Sequence, residues 1–173
     1  KHFLGTIVFM AEQNGGFTLQ EYIIIDGQQR LTTMMLILKA LSIVAQNVGD
    51  ACFHEIEEQY LHNKYCDEEF KVKLKPIKSD NIQFQLLLEG KEDEMEEETH
   101  IYRNFMLCKE RFEAWVGKGI SPSQILDALT KLEIVEIVLA KGEDDPQVIF
   151  ESINSTGLEL TNADLIRNFL LMN

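Results

Sequence analysis

The apolar positions of this chain follow two different periods. From Gly5 to Glu12, and again from Thr18 to Ile25, β-branched and aromatic side chains dominate, as they do in strands. Asn14-Gly15-Gly16 lies between the runs and tolerates positive φ, so the pair predicts a β-hairpin. Ile23-Ile24-Ile25 closes the second run and reads as a buried strand. The period then changes. Leu31, Met34, Met35, Leu38, Leu41 and Ala45 fall at helical steps, while Leu36 and Ile37 fill the opposite side. A helix apolar nearly all round belongs at the centre of a core. Its methionine pair reads as core filling.

Further along, Asp50 to Tyr60 is more polar and reads as helical. Lys71-Val72-Lys73-Leu74-Lys75 alternates and stops at Pro76, which predicts a short edge strand. Its lysines suit a charged edge that resists pairing between molecules, with phosphate binding as the competing use. Asp80 to Glu89 reads as a helix ended by Gly90. Ile101, Phe105, Cys108, Phe112 and Trp115 recur at steps of four and three, the core stripe of a helix closed by Gly117 and Gly119. Ser121-Pro122-Ser123-Gln124 combines a capping serine, a proline at the first helical position and a glutamine three residues on. That helix is expected to reach about Leu132. Ile134 to Leu139 reads as a strand and Gly142 to Asp145 as a loop. Asp145-Pro146 starts a helix with Val148, Ile149, Phe150 and Ile153 as its apolar members, and Thr161-Asn162-Ala163-Asp164 caps the last one. The whole is an α+β pattern: a small mixed β-sheet with surrounding helices and a helical insertion from about 79 to 131.

Composition narrows this picture only a little. At 173 residues, 45% hydrophobic and 26% charged, a single domain over residues 1–173 with a substantial core is expected. Lys1 at the start and Leu170-Leu171-Met172 at the end are read as marks of a fragment of a longer chain. The formal net charge of −13 argues against this piece gripping DNA or an anionic membrane unaided. Six acids crowd positions 92–98 and read as a solvated face, not a metal site. Cys52, Cys66 and Cys108 show no paired spacing, which fits reduced thiols in a cytoplasmic protein. His62 and Cys66 stand four apart without a second pair, so coincidence is favoured over a metal half-site. The run Leu31 to Ala45 is too short and interrupted for a bilayer span, and no membrane contact is expected.

Candidate chemistry gathers where the hairpin meets the apolar helix. A strand passing through Asp26-Gly27 into a helix aims that helix's free N–H groups and positive dipole end beyond the strand. An anion, most often phosphate, is favoured there. Gln28, Gln29 and Arg30 occupy this first turn, and Arg30 offers a fork of donors that matches phosphate geometry. A structural reading stands beside it. Asp26 and Gln29 have the spacing of a capping box, with Arg30 an ordinary ion-pair residue. The readings conflict, because a capping carboxylate repels phosphate unless a divalent cation bridges them or the phosphate keeps to the Arg30 side. No Gly-x-x-x-x-Gly-Lys occurs, so this is not a P-loop enzyme.

The string Ile25-Asp26-Gly27-Gln28-Gln29-Arg30-Leu31-Thr32 resembles the Asp-Gly-Gln-Gln-Arg signature of the S-subunit-type domain of GmrSD restriction endonucleases. That family is similar to the ParB and sulfiredoxin nucleotide-binding folds. Phe150-Glu151-Ser152-Ile153-Asn154 through Gly157 and Leu160 to Asn168 resembles a second family segment, and Phe3-Leu4-Gly5 leads in as the family does. The resemblance covers nearly the whole chain. It implies that the domain binds a nucleoside triphosphate with Mg²⁺. Hydrolysis would license DNA cleavage by a nuclease domain elsewhere in the same or a partner chain, in bacterial anti-phage defence.

Carried over residue by residue, Asp26, Gln28 and Arg30 would be catalytic, with Asp26 holding Mg²⁺ or orienting the attacking water. Gly27, Gln28, Gln29, Arg30 and Asn154 would bind the nucleotide. For Asn154 and Gly157 a helix C-cap and turn is the slightly favoured alternative, and Arg167 with Asp164 reads as a surface pair. DNA would be engaged only through the full assembly, and a homodimer is compatible with the pattern. The family carries a Gln-Arg-rich motif ahead of Phe-Leu-Gly, and this chain starts after it. The fragment alone is therefore expected to be inactive. His2, His54, His62 and His100 are scattered, so no His-Asn-His nuclease pattern is present. The alternative class is a non-catalytic module that senses a ligand or docks a partner, with Asp26–Arg30 as a structural cap.

Overall fold

The computed structural model describes residues 2–12, 20–66, 70–76, 78–142 and 144–154. Among them are strands β1 (His2–Ala11), β2 (Tyr22–Asp26) and β3 (Leu132–Leu139). The helices are α1 (Gln28–Val48), α2 (Cys52–Glu55), α3 (Lys78–Leu88), α4 (His100–Val116), α5 (Pro122–Leu129) and α6 (Pro146–Asn154). Helix α2 runs directly into a π-helical turn, Ile56–Leu61, and a single 3-10 turn covers Glu92–Glu94. The chain is α+β, with a small three-stranded mixed sheet. The described residues group into two compact units, one within residues 1–3 and 29–133, the other within 4–28 and 134–173.

The second unit is built on the sheet, in the order β2-β1-β3. The expected hairpin is present: β1 and β2 pair antiparallel, with Val8 opposite Asp26, Met10 opposite Ile23 and a bulge between Val8 and Phe9. The Glu12 N–H to Glu21 carbonyl bond (2.9 Å) continues the ladder toward the turn, whose Asn14-Gly15-Gly16 tip lies outside the described residues. One expectation fails. The isoleucine run of β2 is not buried: Ile23 is 42% exposed, and Ile24 and Ile25 are half-buried. The cause is position in the sheet. Among the described residues β2 lies at the sheet's edge, with no strand on its other side, and the burial falls on central β1, whose Ile7 and Val8 are enclosed. Helix α6 packs against β2. Phe150 is buried on it, whereas Val148 faces solvent.

The first unit is helical, with α1 at its centre as the period predicts. Met35, Leu36, Leu38, Ala40, Leu41, Val44 and Ala45 join Phe84 and Leu87 of α3, Ile101, Phe105 and Phe112 of α4 and Ile125 and Leu126 of α5 in one core. Phe84 and Phe105 are fully enclosed, and truncating a phenylalanine so placed costs about 3–5 kcal/mol. At 21 residues α1 outruns the sequence-marked segment, and by length and composition it could cross a membrane; half of that stretch is buried inside the protein. Gly90 ends α3 as expected. With positive φ it lets its own N–H reach the Leu87 carbonyl while the Lys91 N–H reaches Leu86, a Schellman closure.

Three details of this unit differ from the sequence reading. Lys71 to Lys75 is not a strand. Only Val72 bridges, to His62, because the segment meets the end of the π-turn and not another strand. Helix α5 stops at Leu129, since Leu132 already belongs to β3. Trp115 is 38% exposed, lying against the Phe112 ring at 5.7 Å in the last turn of α4, where the core no longer covers that face.

Candidate functional site

The Asp26–Arg30 motif sits where β2 turns into α1. Asp26 is the last residue of β2, opposite Val8 and beside the β1 bulge. Gly27 is buried and has φ +96°, a conformation that side chains disfavour. This glycine lets an extended strand enter a helix without an intervening loop. Helix α1 then opens with Gln28 and carries no acidic residue in its first turn. Gln28 and Gln29 are exposed, while Asp26 and Arg30 are half-buried. The Gln28 side chain turns back, donating from Nε2 to the Ile24 carbonyl at 2.9 Å, which ties the first residue of the helix to the strand before it.

These positions bear on the capping alternative. A capping box needs its acid at the residue preceding the helix and its glutamine at the third helical position. With Asp26 in the strand and Gly27 at the junction, Asp26 stands one place early and Gln29 is only the second helical residue. The acid-free first turn, the dipole of a 21-residue helix and half-buried Arg30 are features that favour an anion at a helix start. Asn154, the remaining site candidate, is the last residue of α6, the helix that packs on β2. Its side chain lies outside what is described, as do Gly157, Asp164 and Arg167.

The comparison that decides the family covers nearly the whole length: a family model described as GmrSD restriction endonuclease, N-terminal domain, matches residues 1–171. The chain belongs to that family. No curated protein matches it. Membership places the chain in a restriction system, and the motif sits at the β2–α1 turn of this GmrSD N-terminal domain. Among its described residues no cluster of three or more His, Cys, Asp or Glu is able to hold a metal ion; the acidic run and the His62/Cys66 pair form none.

The fold of this GmrSD domain also holds a polar cluster that the sequence reading missed. Glu57 in the π-turn accepts from Lys39 Nζ (2.9 Å) and Ser42 Oγ (2.6 Å), and His62 Nδ1 lies 3.1 Å from its other oxygen. Burial alone would raise the Glu57 carboxyl. The bonds from His62, Ser42 and Lys39 outweigh it and bring the pKa down to about 2. No α-helical spacing links positions 57 and 62, so helical periodicity gives no signal for this contact. Cys52 and Cys108 are held as thiols by burial, Cys52 with its pKa pushed up to about 11, so neither presents a ready nucleophile.

Proposed function

We propose that this domain binds a nucleoside triphosphate with Mg²⁺ at the start of α1, and that its hydrolysis governs DNA cleavage by a nuclease domain in the same or a partner chain. The observation that carries this reading is Gly27 at φ +96°, joining β2 to an acid-free helix start that bears Gln28, Gln29 and Arg30. Arg30 supplies a charged fork for phosphate oxygens, Gly27 permits close approach of the backbone, and Gln29 offers a neutral donor or positions water. One Gln28 donor is already committed to Ile24, which gives that residue a share in shaping the turn. Asp26 fits the donor set for Mg²⁺, which is commonly held by one or two carboxylates together with the substrate's own phosphates. On this reading the cation arrives with its nucleotide. When bound, it neutralises charge on the phosphates. DNA contact is left to the full assembly, in agreement with the −13 charge.

Thermal melting with and without millimolar nucleotide and Mg²⁺ tests binding. A ligand at 100 times its Kd stabilises by about 2.7 kcal/mol, which is a rise of several degrees. Phosphate release by the intact protein tests turnover. A rise without release would leave a domain that binds nucleotide and does not hydrolyse it; neither effect would defeat the proposed function and leave the non-catalytic module, with Asp26–Arg30 as a structural cap.

A further inference from the structure

We infer that the π-turn Ile56–Leu61 is a conformational switch point, in which the Glu57 carboxylate holds the one register that docks residues 70–76 onto the helical unit. Around an α-helix, residues five apart point about 140° away from each other. Here they meet twice, through the His62 N–H to the Glu57 carbonyl (3.0 Å) and through the His62 ring to the Glu57 carboxylate (3.1 Å). Both contacts depend on the π register, in which N–H groups bond five residues back. π-turns are rare, and many occur at functional sites.

The carboxylate is what makes that register obligatory. Lys39 and Ser42 on α1 are 8% and 2% exposed, and both donate to Glu57 Oε1. Relaxing the turn to α register would swing Glu57 away and leave a buried ammonium unpaired, a costly state. Lys39 from α1 and His62 from the end of the turn are the titratable groups that face Glu57.

The segment 70–76 reads this register directly. Val72 bridges His62. The Asn63 N–H meets the Lys71 carbonyl at 2.7 Å, and the Lys73 N–H meets the Leu61 carbonyl at 3.2 Å. Lys73 Nζ also donates to the Gln59 carbonyl inside the turn. A one-residue change of register displaces all of these partners together, so the strap is docked or released as a unit. It carries Lys71, Lys73 and Lys75, three of the 16 basic residues of an acidic chain, and its release redistributes that charge.

Hydrogen exchange on the full chain tests the switch. In Glu57→Gln the exchange of the Asn63 and Lys73 amides should accelerate at least tenfold more than that of Leu41 and Phe105. Uniform acceleration across the core would show mere destabilisation, and unchanged Asn63 and Lys73 amides would show no lock; either result overturns the inference. Because Glu57→Gln leaves Lys39 buried and unpaired, the double variant Lys39→Met/Glu57→Gln removes both charges and protects the fold. It too should release the strap alone, and a strap still protected in it refutes the switch.

Discussion

Helices α1 and α5 both begin near a short polar residue followed three places on by glutamine, Asp26…Gln29 and Ser121…Gln124, yet they use the spacing differently. At α5 the box closes: the Gln124 N–H reaches Ser121 Oγ at 3.3 Å, and Gln124 Oε1 accepts the Ser121 N–H at 2.9 Å. A carboxylate is also built in. Asp50 accepts the Ser123 N–H at 3.1 Å and its hydroxyl at 2.6 Å, and those bonds, the hydroxyl's first, hold its pKa at about 2. The positive end of α5 is thus satisfied by the protein's own anion. At α1 the acid remains in the strand, a glycine takes the junction, and the first turn carries Gln28, Gln29 and Arg30 with no acid. Under the proposed function, the same physics that stabilises one helix end from within suits the other to an anion from outside.

The sharpest way to break this comparison is Arg30→Ala in the intact protein. Losing a charge-assisted contact costs roughly 1.5–3 kcal/mol of affinity, a tenfold to hundredfold rise in the nucleotide Kd by titration, with the melting midpoint held. Arg30→Lys should fail in large part too, since an ammonium lacks the fork. An Arg30→Ala protein that melts early but binds and hydrolyses normally would make α1 a structural start like α5. Next in size is Gly27→Ala. A side chain forced to φ +96° costs roughly 1–3 kcal/mol, which urea denaturation would read as a lowered midpoint. A neutral result would mean the junction does not need its glycine.

The comparison also shows what was legible in the sequence and what was not. Caps made from neighbouring residues were readable: the Ser121 box and the glycine end of α3 are local chemistry. The buried helix α1 was readable from its period, and so was the hairpin. Sheet position was not. Three isoleucines read as interior, but β2 lies at an edge, and strand order is a long-range fact that no local pattern encodes. Lys71–Lys75 failed for the related reason that alternation describes a strand only when another strand stands beside it. Asp50 meets Ser123 across 73 residues, and Glu57 meets His62 at a non-helical spacing, so neither could be found from periodicity. For the candidate site, the motif was legible; that Asp26 closes a strand was decided by where the chain turns.

A smaller effect is expected from removing the internal anion at α5. Asp50→Asn weakens the bonds to Ser123 and to the Cys52 N–H and should cost about 1 kcal/mol, the scale of a lost cap. Its pH dependence has a definite sign. The folded pKa lies below the ordinary 3.8, so the contribution is complete above about pH 5 and is lost as the pH falls through about 2. Glu57 titrates with the same sign, so the quantity to measure is the gap in stability between parent and variant. That gap should narrow steadily from about pH 5 as the pH falls toward 2, and a constant gap would remove Asp50's charge from the account of α5.

The smallest effect compares the two glutamines. Gln124→Ala opens the α5 box and leaves the Ser121 N–H without its 2.9 Å acceptor, so a loss of about 0.5–1 kcal/mol is expected. Gln29 is exposed and sits at the second helical position, one place short of where a box glutamine stands. Gln29→Ala should therefore change stability by less than about 0.5 kcal/mol, with alanine's better helix propensity acting in its favour. Under the proposed function it should still weaken nucleotide binding, because it removes a neutral donor from the first turn. Chemical denaturation of both variants, with nucleotide titration of Gln29→Ala, separates the cases. Equal losses of stability from the two glutamines would show that Asp26 and Gln29 form a box after all, and the contrast between the helix ends would collapse.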